Sequence, residues 1–210
     1  MSRVLVAGVG NVFLRDDGFG PAVAHRLAEE VSGLPGWTPE EVQVEDYGVR
    51  GLHLAYDLLD GVDALVLVDV LPAPADGSLD AGTLRILKIR AEDLDSGGPV
   101  TPAGLPVNPA FDPHGMDPLA VLRRLRILGG SLPETYLVGC IAGRTDDGME
   151  LSEDVSRAVP AAVEAVRTLV TSRLASRGTD TGSTAAGNTE TGNTETGNTE
   201  TASAGSDGAG

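Results

Sequence analysis

The sequence predicts an α/β fold, a single-domain three-layer sandwich in which a mostly parallel five-stranded sheet carries helices on both faces. Short β-branched apolar runs alternate along the chain with segments of helical periodicity, which is the pattern of such sheets. The run "ALVLVDV", residues 64–70, is apolar at both parities, as expected for a strand buried on both faces. The chain has 210 residues, 41% of them hydrophobic, enough for one domain with a sizeable core.

The first half of the chain supplies two strands and two helices around the central run. "RVLVAGV", residues 3–9, is a β-branched run that ends in glycine and predicts the first strand. A helix should follow from Pro21, since its apolar residues recur at four-residue spacing, namely Val23, Leu27 and Val31. "VQVEDYG", residues 42–48, alternates like a strand, and "GLHLAYDLLD", residues 51–60, has a helical pattern.

The second half supplies two more strands and two helices. After the central third strand, "TLRILKI" at residues 83–89 predicts a fourth strand, which we place at an edge, and "TYLVGCIA" at 135–142 predicts a fifth. Asp117 and Pro118 resemble the cap and first residue of a helix. Ser152 is suited to cap the last helix, in which Pro160 predicts a kink.

The composition changes sharply near residue 177. Beyond it the chain is rich in Thr, Gly, Asn and Glu, and "GNTET" occurs three times in tandem at residues 187–201. Such a segment buries too little apolar surface to offset the entropy of ordering it. We therefore expect an α/β domain over residues 1–176 and a disordered low-complexity tail over residues 177–210.

The charge and cysteine content exclude several classes of protein. The formal net charge is −16, which argues against nucleic acid or an anionic membrane as a partner. No apolar run approaches the length of a membrane-spanning helix. The single cysteine, Cys140, forms no internal disulfide and supplies no Cys-based zinc site. We expect a cytoplasmic protein, with Cys140 packed in the core of the fifth strand.

The stretch "GVGNVFLRDDGFGP", residues 8–21, is a glycine-rich turn between the first strand and the first helix. A dinucleotide-binding turn would need glycine where Phe13 stands, and the carboxylates of Asp16 and Asp17 would repel a pyrophosphate at the helix N-terminus. One of the two aspartates could simply cap the helix, because a helix N-terminus favours negative charge. Two adjacent carboxylates are more than a cap requires.

Two further residues stand at loops on the carboxyl side of the presumed sheet. Asp69 ends the most buried strand, where an unpaired carboxylate would be costly, and His114 ends a proline-rich loop where no packing role is evident. Asp17, Asp69 and His114 could therefore converge, and such a ligand set suits a divalent transition metal. By contrast, we expect His25 to face solvent and His53 to have a structural role.

Three segments in the same order resemble the family of [NiFe]-hydrogenase maturation proteases: "VLVAGVGNVFLRDDGFGP", then "ALVLVDV", then "DPHGMDPLAVL". The resemblance extends over roughly residues 3–172 and includes the final helix. It implies an endopeptidase of aspartic type that trims the C-terminus of the hydrogenase large-subunit precursor. That precursor would be the partner, with no nucleic acid, membrane or organic cofactor involved.

The resemblance also implies roles for individual residues. Asp17, Asp69 and His114 would be the metal ligands, with Asp17 and Asp69 also catalytic. Asp17 stands where the family often has Glu, and Asp112–Pro113 precede the histidine where the family often has Ser or Thr. The metal would be the nickel already inserted in the precursor. It would either orient the substrate, the role that we favour, or activate the attacking water.

Two other readings share parts of this pattern. A non-catalytic nickel metallochaperone would use the same ligands without turnover. A nucleotide-binding α/β module would use the same fold, although the acids at the helix start argue against it.

Overall fold

The computed structural model describes residues 3–31, 37–74, 76–95 and 118–178. Three sequence-based predictions fall outside these ranges: the position of His114, the capping role of Asp117 and the tail beyond residue 178. No helix in the described ranges is both long and apolar enough to cross a membrane.

The described residues form one five-stranded sheet, which confirms the predicted fold class. The strands are β1 (Val4–Val9), β2 (Val42–Gly48), β3 (Ala64–Leu71), β4 (Leu84–Ile89) and β5 (Glu134–Ile141). Their order is β2-β1-β3-β5-β4, with β1–β2, β1–β3 and β3–β5 parallel and β4–β5 antiparallel. The run predicted to be central is indeed central: every residue of β3 is buried. The prediction of β4 as an edge strand is also confirmed.

Among the described residues, five helices cover the sheet: α1 (Phe19–Val31), α2 (Gly51–Leu59), α3 (Ala91–Asp95), α4 (Pro118–Ile127) and α5 (Glu153–Gly178). A 3-10 turn, Arg15–Gly18, precedes α1, so the helix begins two residues before the predicted start at Pro21. The short α3 was not predicted. Pro160 lies inside α5, and the helix continues past this residue.

The helices pack on both faces of the sheet, as predicted. One core joins the valine side of β1 and β3 to α1 and α5; the other joins the leucine side of the same strands to α2, α3 and α4. Because side chains alternate along a strand, the two parities of β3 serve different cores. Val66, Val68 and Val70 face α1 and α5, whereas Leu65, Leu67 and Leu71 face α2 and α4.

The strand order places a topological switch point, where open α/β sheets have a crevice, outside the carboxyl ends of β1 and β3. From β1 the chain continues to β2, which pairs on one side of β1, whereas β5 pairs with β3 on the side away from β1. The connections therefore diverge at the carboxyl ends of these two strands. In open α/β sheets this is where ligands bind.

Candidate active site

The candidate site lies at the carboxyl ends of β1 and β3, where glycines bring the backbones unusually close. A Cβ atom on Gly20 would stand 2.2 Å from the Val9 carbonyl oxygen and 2.4 Å from that of Val68. A Cβ atom on Gly10, whose φ is +131°, would stand 1.9 Å from the carbonyl oxygen of Asp17. Only glycine allows these contacts. The glycines of the opening motif therefore press the start of α1 onto the ends of both strands.

The turn after β1 orients the carboxylate of Asp17. Its Oδ2 accepts a hydrogen bond of 2.7 Å from the backbone N–H of Asn11, and the side chain is partly buried. The Asn11 side chain braces the same turn, because its Oδ1 accepts a bond of 3.0 Å from the N–H of Phe13. Asp17 is thus directed back across the glycine turn that it follows.

Asp69 lies in β3, two residues before the strand ends. It is 8% exposed, and its Oδ1 accepts a hydrogen bond of 2.8 Å from the N–H of Val70. The 3-10 turn that carries Asp17 contacts β3. Asp17 and Asp69 therefore lie on two elements that contact each other, and their convergence on one metal stays a prediction.

The proposed third ligand, His114, lies outside the described residues. Within residues 3–31, 37–74, 76–95 and 118–178, no three His, Cys, Asp or Glu side chains form a group that could hold a metal ion. The described part of the site therefore consists of two carboxylates. The complete ligand set stays a prediction.

Asp16 does not cap a helix, so that alternative interpretation of the aspartate pair is wrong for this residue. Its carboxylate is fully buried and points across the molecule to the loop between β5 and α5. It accepts hydrogen bonds from the N–H groups of Gly143 (2.8 Å), Arg144 (2.7 Å) and Ser152 (2.6 Å), and from the Ser152 hydroxyl (2.9 Å). Burial alone would raise the pKa of Asp16, but these hydrogen bonds outweigh it and hold the pKa below its ordinary value.

The same two loops are also joined through their backbones. Arg15 N–H donates to the Gly148 carbonyl (2.8 Å), and Asp16 N–H donates to the Arg144 carbonyl (3.1 Å). Gly148 N–H returns a bond of 2.9 Å to the Phe13 carbonyl. Arg15 has a φ of +47°, uncommon for a residue with a side chain, and the flanking bonds hold it there. The loop after β5 is therefore part of the architecture of the site.

Asp46 is a carboxylate at this edge of the sheet that the sequence analysis missed. It lies near the carboxyl end of β2, opposite Gly8 of β1, and its Oδ2 is 3.0 Å from His25 Nε2. Its Oδ1 is buried and has no hydrogen-bond partner in the described structure. The sequence signal was the same as for Asp69, an acid near the carboxyl end of a predicted strand.

The remaining candidate groups are two exposed histidines and one buried cysteine. His25 is 67% exposed, as expected, whereas His53 is exposed on α2 and does not have the expected structural packing. Cys140 is fully buried in β5, as predicted. Burial, with a contribution from the nearby charge of Asp16, raises the pKa of its thiol to about 12, so the thiolate is suppressed.

Exposed apolar side chains lie on the two loops that are joined next to Asp16. Phe13 is 62% exposed on the loop after β1, and Met149 is 71% exposed on the loop after β5. Their neighbours Leu14 and Gly148 form a β-bridge, so both belong to one paired segment. Val12 on the first loop and Val49 after β2 are also exposed. An apolar patch of this kind is typical of a surface that receives another polypeptide.

Comparison with known proteins agrees with this geometry. The family model described as hydrogenase maturation protease (HycI) matches residues 22–169. The hydrogenase 2 maturation protease of Escherichia coli K12 is 29% identical over 164 residues, which cover 78% of this chain and 88% of the relative.

Solved structures share the fold. The [NiFe] hydrogenase maturation protease HybD of Thermococcus kodakarensis is 25% identical with a TM-score of 0.57, over 80% of this chain and 99% of that one. The hydrogenase maturating endopeptidase HybD of E. coli has a TM-score of 0.59 at 24% identity, over 81% and 93% of the two chains. Since the family model spans most of the described domain, the chain belongs to the hydrogenase maturation protease family and is a peptidase.

Proposed function

We propose that this peptidase removes the C-terminal peptide of a nickel-loaded [NiFe]-hydrogenase large-subunit precursor. The observation that carries the proposal is the pair Asp17 and Asp69. Asp17 lies in the 3-10 turn before α1 and Asp69 lies in β3, and a backbone N–H group orients each carboxylate. Carboxylate oxygens held in this way can coordinate a divalent cation presented by another molecule. His114, the only nitrogen donor in the set, would complete the contact to the nickel of the substrate.

In this proposal the nickel of the precursor positions the scissile peptide, and a water molecule attacks its carbonyl carbon. A carboxylate of the pair accepts a proton from the attacking water and later delivers a proton to the leaving nitrogen. The products are a new carboxyl terminus on the large subunit and a free amine on the released peptide. No protein nucleophile is required, and the single cysteine, Cys140, is held as a thiol by burial.

The apolar patch on the two loops supports a protein substrate. Phe13 and Met149 expose large apolar surfaces on a chain whose net charge is −16. Such side chains gain most when a partner polypeptide covers them. We therefore propose that the precursor docks over these loops while its nickel and its scissile bond enter the crevice.

The direct test is the mass of a large-subunit precursor before and after incubation with this protein. We expect shortening of the nickel-loaded precursor and none of the nickel-free form. A precursor that accepts nickel from this protein, or binds it without being shortened, would point to a metallochaperone instead. Cleavage of both forms at equal rates would contradict the recognition role of nickel.

A calorimetric titration with nickel tests the ligand set separately. We expect Asp17→Asn, Asp69→Asn and His114→Ala to weaken nickel binding, with loss of His114 also reducing selectivity for nickel over magnesium. His53→Ala is the matched control, because His53 is exposed on α2. If the three variants fold and bind nickel like the parent protein, the ligand set is wrong.

A further inference from the structure

Asp16 is a fully buried carboxylate for which the proposed chemistry has no direct use. It makes no proposed contact with the substrate, yet its two oxygens accept four hydrogen bonds from three residues of the loop between β5 and α5. Burying a charge in this way is costly unless it is fully bonded.

The hydrogen bonds of Asp16 join the turn after β1 to the loop between β5 and α5. On one side Asp16 is covalently joined to Asp17, whose carbonyl group is pressed against Gly10. On the other side its carboxylate accepts a hydrogen bond from Gly143, which follows β5. Strand β5 pairs with β3, and Gly139 of β5 lies opposite Asp69. The bonds of Asp16 therefore link the turn that bears Asp17 to the neighbour of the strand that bears Asp69.

We propose that Asp16 is a positioning residue that fixes the carboxylate of Asp17 relative to that of Asp69. The inference rests on the proposed function, in which both carboxylates must meet one nickel-bearing substrate. Each backbone N–H that Asp16 engages is rigidly attached to β5 or to the start of α5. Loss of the Asp16 hydrogen bonds would allow the 3-10 turn to shift. The two cores would remain packed, one against α1 and α5 and the other against α2 and α4.

Asp16→Asn is the sharpest variant, because an amide has the same shape but offers an N–H₂ group to backbone donors that need an acceptor. We expect the kcat for cleavage of the nickel-loaded precursor to fall by about 100-fold, since misplacement by about 1 Å can have that effect. KM should change less than kcat, because the backbone bonds of Arg15 and Phe13 with Gly148 still join the two docking loops in this variant. Ser152→Ala removes one of the four bonds and should give a smaller fall in kcat.

Asp93→Asn is the matched control for a purely structural effect. Asp93 is also buried, at 1% exposure, and its Oδ2 accepts a backbone N–H bond of 2.7 Å from Arg90, but it lies beyond β4 at the opposite edge of the sheet. We expect it to lower the melting temperature without changing kcat of the folded protein. An equal fall in kcat for Asp93→Asn would overturn the inference.

A second readout does not depend on activity. The Asn11 amide donates to Asp17 Oδ2, so its hydrogen exchange reports the position of that carboxylate. We expect faster exchange at Asn11 in Asp16→Asn, with the amides of β1 and β3 unchanged. If Asp16→Asn does not fold, Ser152→Ala gives the same two measurements.

The outcomes separate the inference from the proposed function. If the parent protein does not cleave the precursor, the proposed function fails, and exchange at Asn11 still tests the link between Asp16 and Asp17. Wild-type kcat together with wild-type protection of Asn11 in folded Asp16→Asn would overturn the positioning role, whatever the substrate.

Discussion

The carboxylates of the candidate site and the Glu134 cluster, at opposite ends of the strands, are held in different ways. At the carboxyl edge, Asp16, Asp17 and Asp69 all accept hydrogen bonds from backbone N–H groups. At the amino edge, Glu134 accepts bonds of 2.7 Å from both Lys88 Nζ and Arg173 Nη1. A backbone amide orients a carboxylate without cancelling its formal charge, whereas a cationic side chain neutralises it. The first arrangement suits an incoming cation, and the second suits stability.

The amino-edge cluster is built to tie three elements together. Glu134 begins β5, Lys88 belongs to β4 and Arg173 belongs to α5, and both cations also lie 5.4 Å from the ring centroid of Tyr136. The hydrogen bond from Lys88, with those from Arg173 and Tyr136, lowers the pKa of Glu134 to about 2. The two cations neutralise the Glu134 carboxylate, so this cluster is suited to stabilising the fold and not to binding a cation.

The largest expected effect separates the two edges by activity. Asp69→Asn should reduce the rate of precursor cleavage by at least about 100-fold, because outer-shell partners of a metal alone are commonly worth 10–100-fold. Glu134→Gln should leave kcat and KM of the folded protein unchanged. Cleavage assays on both variants, with circular dichroism as a check of folding, make the comparison. Equal losses of activity would show that the distinction between the edges is wrong.

The next effect concerns the close backbone approach on which the site depends. Gly20→Ala should lower the free energy of unfolding by about 3 kcal/mol, as expected for severe overpacking, although alanine is the better helix former. Gly61→Ala is the control, since Gly61 has a φ of +81° and nothing within 4 Å of a Cβ atom, and should cost about 1 kcal/mol. Urea denaturation measures both. A loss of unfolding free energy for Gly20→Ala no larger than that for Gly61→Ala would show that α1 can move away from the ends of β1 and β3.

Sequence alone predicted the mostly parallel sheet and the central burial of β3, because each has a local signal, whereas the convergence of Asp17, Asp69 and His114 stays a prediction. A continuous apolar run indicates a strand buried on both faces, and parallel strands bring their carboxyl ends to one edge. The role of Asp16 has no local signal. Its partners Gly143 and Ser152 lie more than a hundred residues away, in a loop with no distinctive motif. The antiparallel pairing of β4 likewise depends on its tertiary neighbour β5.

A smaller effect should appear in the pH dependence of stability. Because the folded-state pKa of Glu134 is lowered to about 2, its contribution is present above the ordinary pKa and is lost as the pH falls from about 4.5 towards 2. Glu134→Gln should therefore destabilise the protein at pH 7 and lose that difference near pH 2. The side chain is one-third exposed, so solvent screening limits the effect to roughly 1 kcal/mol.

Denaturation of Glu134→Gln and of the parent protein at several pH values tests this. A constant difference in unfolding free energy down to pH 2 would show that the charge on Glu134 is not what stabilises the cluster. Asp76→Asn is a useful control, because the pKa of Asp76 is also lowered, by hydrogen bonds from Ser78, yet this group is fully exposed and local to its own turn.

The smallest effect is expected at Cys140, which tests whether a titratable group near the carboxyl edge must take part in the chemistry. Cys140 is fully buried, and burial with the neighbouring charge of Asp16 raises its pKa to about 12. Near pH 7 almost no thiolate exists to react. Cys140→Ala should thus cleave the precursor at the parental rate and lose about 1 kcal/mol of stability.

Thiol-blocking reagents should not inhibit the folded parent protein, whereas they should label it in urea. Inhibition of the parent protein but not of Cys140→Ala would show that this sulfur is reactive and lies close to the site, which would contradict the prediction.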